Sequence, residues 1–137
     1  MKVRHRGDRI TGWRAYGGVL IVPARLDGKR TTHMLVDSGA AHCLITPRIA
    51  RLPGYDARDA KTWRPIFGAQ GVEATVPSFQ LQSLQVGGVV VEGIEVLVVT
   101  FSPRIRIDGV IGVNFLARFR PTLEFDRATL VLRSRPT

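Results

Sequence analysis

Asp37 is the residue best placed to do chemistry. It ends an apolar run, Met34-Leu35-Val36, and is followed by Ser38, Gly39 and Ala40. Three apolar residues in succession read as a strand buried on both faces. A carboxylate at the end of such a strand is costly to desolvate, so it is either held by a dense hydrogen-bond network or kept for reaction. Gly39 permits a tight turn that brings backbone N–H groups close to the acid. His42-Cys43 suggests a thiol nucleophile beside its base, but neighbours in a strand point to opposite faces. That dyad is geometrically poor, and Cys43 reads as a buried packing residue. Asp108 offers a second acid within the chain, yet Asp108-Gly109 reads as a turn, and Asp126 does likewise. His5 and His33 lack metal-ligand spacing, so no metal site is expected. The glycines near residue 70 do not precede a helix, which argues against a phosphate loop.

The elements that must position Asp37 are mostly strands. Val19 to Leu26 reads as a strand broken by Pro23, and Asp27-Gly28 is a strong hairpin signal before Thr31 to Val36. Cys43-Leu44-Ile45 is a short strand. Thr46-Pro47 opens a helix, with Thr as the N-cap and Pro at the first position, ending before Pro53-Gly54. Residues 55–61 read as loop, and Phe67-Gly68-Ala69-Gln70-Gly71 as a mobile glycine-rich hairpin between two extended segments. Gln80 to Val86 alternates with period two, Gly87-Gly88 turns, and Val89-Val90-Val91 and Ile94 to Thr100 supply β-branched strands. Val110-Ile111-Gly112 follows, then a short helix from Asn114 to Phe119 and a closing hairpin over residues 123–132. Short strands with frequent turns argue for a small barrel or sandwich. A weak internal echo relates the strand, glycine turn and helix around Asp37 to those around Gly112.

Length and composition bound the function. At 137 residues the chain makes one domain, too short for two lobes of usual size. Its 45% hydrophobic and 23% charged content is that of a soluble globular protein. No apolar run approaches the ~20 residues of a spanning helix, so no membrane partner is expected. The basic N-terminus lacks the apolar core of a secretory signal. A single cysteine excludes an intrachain disulfide, and the expected location is the cytoplasm. Twenty Lys and Arg against 11 Asp and Glu give a net charge of +9, mostly from arginine. Such a surface attracts anions, nucleic acid included. No aromatic residues alternate with the basic ones as a single-strand platform requires.

Taken together, the motifs resemble the single-domain retropepsin-like aspartic proteases of retroviruses and many bacteria. Leu35-Val36-Asp37-Ser38-Gly39-Ala40 is similar to the catalytic motif, with Ser for the commoner Thr. Residues 67–71 stand where such enzymes carry a flap, and Val110-Ile111-Gly112 matches the hydrophobic-hydrophobic-Gly motif that packs beneath the catalytic loop. The resemblance covers about residues 17–132 and implies a mostly β fold: a closed small barrel of the acid-protease type with one or two short helices.

The resemblance also implies a role for each residue. The family hydrolyses peptide bonds with water activated between two carboxylates. This chain has one such motif, so the second Asp37 must come from a second copy in a homodimer. Ser38 is implied to hydrogen-bond across the dimer axis, Gly39 to bring its N–H to the carboxylates, and Ala40 to leave room for the polypeptide substrate. Ile66, Phe67, Gly68, Ala69, Gln70 and Gly71 are implied in substrate binding through the flap. Val110 and Ile111 are implied to line apolar subsites, and Gly112 to support the loop. No cofactor is implied. Retroviral members carry acidic residues after the motif and Arg after the later glycine, forming an ion pair that supports the dimer. Here those places hold Ala41, His42 and Val113. Residues 1–16 fall outside the resemblance and read as a basic, processed or disordered arm. Two other readings stay open: a catalytically idle dimeric peptide-binding module of the same fold, and a basic nucleic-acid-binding domain.

Overall fold

Turn chemistry sets the strand order. Asp27 and Gly28 both take positive φ, 51° and 67°, and so reverse the chain between β4 (Val19–Leu26) and β5 (Arg30–Val36). These two pair antiparallel from Ile21↔Leu35 to Leu26↔Arg30. Gly87, at φ 60°, makes the corresponding turn between β8 (Gly71–Val86) and β9 (Val89–Val98). The remaining elements are β1 (Lys2–Arg4), β2 (Asp8–Thr11), β3 (Trp13–Ala15), β6 (Cys43–Ile45), α1 (Pro47–Arg51), β7 (Thr62–Gly68), β10 (Gly109–Ile111), α2 (Val113–Leu116), β11 (Phe119–Glu124) and β12 (Thr129–Ser134). The structure is a computed structural model that describes residues 2–4, 7–68 and 70–136. No helix among them is long and apolar enough to cross a membrane.

Six strands close into a ring. β8 pairs β4, then β5, β10, β6 and β9 follow in turn, and β9 returns to β8. The fold is mostly β, as the patterning implied. β1 joins the ring through β9, β3 through β4, and β7 through β8. β11, β12 and β2 form a separate three-stranded sheet. Residues 2–15, read from sequence as an arm outside the domain, thus supply one strand to this sheet and two to the larger one.

Several boundaries differ from the sequence reading, each for a local reason. β4 runs unbroken through Pro23, because its outer edge is bare there: β3 ends opposite Ile21 and β8 begins opposite Arg25. The missing proline N–H therefore costs no ladder bond. β9 is one strand because Gly93, at φ 68°, absorbs an irregularity between the Glu92 and Ile94 pairings with β8. α2 begins one residue early and ends at Leu116, leaving Phe119 to start β11. α1 matches its signal: Thr46 Oγ1 accepts the Ile49 N–H at 3.3 Å, with Pro47 at the first position.

β8 is 16 residues long and has two environments. From Ser78 onward it pairs with β9 as part of the ring. Before Ser78 its pairing among the described residues is with β7 alone, so residues 62–68 and 71–77 form a two-stranded ribbon that projects from the ring.

The core fills the ring. Leu20, Val22, Met34, Val36, Ile45, Leu84, Ile94, Ile111 and Phe115 are among its buried side chains. Full burial of Phe115 alone is worth about 2–3 kcal/mol. A smaller cluster of Ile21, Ile107 and Val110 gathers Leu35, Ala40, Leu44 and Phe101 on another face of the sheet. Alternation along β5 puts Asp37 on the same side as Leu35.

Candidate active site

Asp37 begins where β5 stops. Its N–H donates to the Ile111 carbonyl at 3.0 Å, extending the parallel β5–β10 pairing by one residue. The chain then turns back on itself. Gly39 N–H donates to Asp37 Oδ1 at 2.8 Å, and Ala40 N–H to the Asp37 carbonyl at 3.3 Å. A Cβ on Gly39 would lie 3.1 Å from that same carboxylate oxygen. Asp37 is half-buried, and Ser38 and Gly39 are exposed at the loop apex. Among the described residues no basic side chain forms an ion pair with Asp37.

The loop rests on Gly112. A Cβ there would come within 2.4 Å of the His42 carbonyl oxygen and 2.8 Å of that of Ala40. Its φ of −100° suits any residue, so close approach alone demands glycine. The next two residues hold the loop from below: Val113 N–H donates to the Ala40 carbonyl at 2.7 Å and Asn114 N–H to Ala41 at 3.1 Å. Asn114 adds a side-chain clamp. Its Oδ1 accepts the Cys43 N–H and its Nδ2 donates to the Glu95 carbonyl, both at 2.8 Å. Sequence reasoning missed this residue, since an Asn after Val-Ile-Gly-Val carries no signal that distinguishes a clamp from a helix surface residue.

Cys43 is fully buried, with its thiol accepting the Gly112 N–H at 3.4 Å. Burial pushes the thiol up to about 12, against weaker opposing hydrogen bonds from the Gly112 and Phe115 backbone. It is no thiolate nucleophile. His42 turns instead toward Glu95, with Nε2 3.3 Å from Oε1. Asp108 belongs to a different end of the molecule. Its Oδ2 accepts the His33 N–H at 2.8 Å and its Oδ1 lies 3.4 Å from Arg48 Nη2. Gly109 pairs with Met34, so about three residues of strand, ~10 Å, separate that level from Asp37.

Beside Asp37 runs a cleft of about 320 Å³. Gly39, Ala40, Ala41, His42, Leu44 and Leu97 line it from the ring, and Pro65, Ile66 and Phe67 from the ribbon. Phe67 is 70% exposed, a large apolar surface with nothing of its own chain over it. The ribbon tip holds Gly68, Gln70 and Gly71, the last at φ 110°. Ala69 lies outside the described residues. Thus Gly39, Ala40, Ile66 and Phe67 line one cleft, Asp37 stands two residues before Gly39 in the same loop, and Gly112 packs against that loop. Val110 and Ile111 do not line the cleft: both are buried in the two clusters. Successive residues of β10 point to opposite faces, so Val110 packs with Ile21 and Ile107 while Ile111 enters the main core. Leu44, Leu97 and Pro65 line the cleft instead. Among the described residues no three metal-ligating side chains cluster.

Three comparisons bear on this arrangement. None of the curated proteins matches the chain in sequence. A solved retropepsin-like aspartic protease from Rickettsia conorii superposes with a TM-score of 0.71 at 22% identity, covering 97% of this chain and 92% of its own. The retroviral protease-like domain of Ddi1 from Leishmania major follows at a TM-score of 0.55 and 19% identity, over 86% and 94% of the two chains. Both likenesses establish the fold. Residues 22–115, which span the β4–β5 hairpin, the Asp37 loop, the ribbon and Gly112, match the model of the aspartyl protease family. The chain belongs to that family, and its fold is retropepsin-like.

Proposed function

We propose that the chain is an aspartic endopeptidase whose active unit is a homodimer, with one Asp37 from each copy flanking the catalytic water. The observation that carries this reading is the state of Asp37: half-buried, hydrogen-bonded by Gly39, without an ionic partner among the described residues, in the loop whose Gly39 and Ala40 line the cleft opposite the ribbon. A structural acid would be tied to a cation or capped on both oxygens. Here Oδ2 makes no hydrogen bond among the described residues.

Two carboxylates brought within a few ångströms share one proton, because both cannot ionise cheaply. The ionised one takes a proton from water, whose oxygen attacks the scissile carbonyl carbon. The protonated one gives its proton to the carbonyl oxygen. Collapse of the resulting diol breaks the C–N bond, and the amine leaves with a proton. The Gly39 N–H fixes the carboxylate plane for this exchange. An extended peptide laid along the cleft would pair with the edge of β7, which is unpaired on its outer side. Closure of the ribbon would exclude water.

The test is digestion of a denatured protein in mildly acidic buffer by the wild type and by Asp37→Asn, with sedimentation of both. Cleavage by the wild type alone, from a species of twice the chain mass, supports the reading. A wild type that binds peptide without cutting it assigns the chain to the idle, peptide-binding reading instead.

A further inference from the structure

Beyond the apolar cleft lies a second hollow of about 300 Å³ that the catalytic reading leaves unused. It is walled by Thr62, Arg64, Ser78, Phe79, Gln80 and Glu95, and it adjoins the cleft at three places. Arg64 of the hollow precedes Pro65 of the cleft; Ser78 pairs with Leu97; and His42 of the cleft stands 3.3 Å from Glu95.

The charges in this hollow are unevenly satisfied. The Glu95 carboxylate is fully engaged: Oε2 accepts from Ser78 Oγ and from Arg64 Nε at 2.9 Å, and Oε1 faces His42 Nε2. Arg64 is not. It uses only Nε, so its two terminal nitrogens, Nη1 and Nη2, make no hydrogen bond among the described residues. Its side chain is 50% exposed. The Nε bond to Glu95 anchors one edge of the guanidinium of this hollow-lining residue and leaves its Nη1–Nη2 face without a hydrogen bond among the described residues. That face is the one that takes a carboxylate through two parallel N–H···O bonds. A cationic side chain entering here would meet the Arg64 charge beside a Glu95 carboxylate already bonded by Ser78 and Arg64.

We propose that this hollow is a distal specificity subsite, in which Arg64, braced by Glu95, receives an acidic side chain of an extended polypeptide substrate whose apolar residues occupy the adjoining cleft. The proposal rests on the peptide-binding half of the reading above, and it deepens that reading by naming a substrate class. Arg64 is here a specificity-determining residue, and Glu95 a positioning residue that acts through it.

Peptides with an apolar centre are made in sets carrying Glu, Gln or Lys at one position, scanned outward on either side. Cleavage of each is measured with the wild type and with Arg64→Gln. Binding of the same peptides, labelled, is measured by anisotropy with Asp37→Asn and with the double variant. At one distal position Glu is expected to be favoured over Gln by about fivefold, and over Lys by more. Arg64→Gln should abolish that preference, so that Glu and Gln peptides are used equally, and its circular dichroism spectrum and thermal melt, set beside those of the wild type, show whether the variant is folded. Glu95→Gln should weaken the preference without reversing it. Equal use of Glu, Gln and Lys at every position, or a preference that survives Arg64→Gln, overturns the subsite. Acid-selective binding without any cleavage keeps the subsite and removes the protease reading. Absence of both binding and cleavage removes both.

Discussion

Asn114 Oδ1 accepts the Cys43 N–H at 2.8 Å, joining α2 to the strand that leaves the Asp37 loop. The same side chain donates to the Glu95 carbonyl, so a single residue ties β6, β9 and α2 together directly behind the site. Asn114→Ala would strand a buried donor and a carbonyl. The expected loss is about 1–3 kcal/mol of stability, read by urea unfolding. Asn114→Asp keeps the acceptor and loses the donor, and should fall between the wild type and Ala.

Gly112→Ala should be worse than a typical surface change. The added methyl meets backbone oxygens of His42 and Ala40, which cannot rotate away. Either the loop lifts, displacing Asp37, or β10 shifts. A loss of about 2 kcal/mol or more is expected from thermal melts, together with loss of any peptide binding. Gly54→Ala serves as the contrast: a Cβ there touches nothing, and its cost is only that of a positive φ, 106°.

Glu95 gives the fold a defined response to acid. Burial opposes its ionisation, but hydrogen bonds from Ser78 and Arg64 and the charges of Arg64 and His42 prevail, holding its carboxyl below the usual range. A group depressed in the folded state stabilises it above the unfolded value and stops doing so as pH falls through the folded one. Wild type should therefore exceed Glu95→Gln in melting temperature at neutral pH. That gap should close on acidification below about pH 4.3, the ordinary glutamate value. Parallel melting curves across the whole range would contradict this.

The Cys43 thiol, buried and pushed up to about 12, should resist alkylation in the native protein. Its labelling rate at mildly alkaline pH then reports opening of the β6–α2 region. Addition of urea to the unfolding midpoint should bring it to the rate of a free thiol. Rapid labelling without denaturant would mean that this region is loosely packed.

The turn after Asp37, the helix cap and the hairpin turn were legible because each depends on residues adjacent in sequence. Asp37-Ser38-Gly39, Thr46-Pro47 and Asp27-Gly28 carry their geometry locally, and all three appear as read. What depends on partners distant in sequence was not legible. Pro23 sits in a continuous strand because the neighbouring strands leave its edge of β4 bare. Val110 and Ile111 are subsite residues by the family resemblance but are buried in the two apolar clusters, which form only where distant strands meet. Asn114 and Glu95 meet across 19 residues of chain, through a bond that no local pattern announces.

The ribbon of residues 62–68 and 71–77 has a mechanical consequence. Two strands without a third are marginal on their own, yet β8 runs from the ribbon into the ring without interruption. It is a cantilever, clamped at Ser78 and loaded at Phe67. Amide protection along β8 should therefore climb steadily from tip to root, and bending of the free end should be transmitted along the backbone toward the wall of the ring rather than dissipated at a hinge.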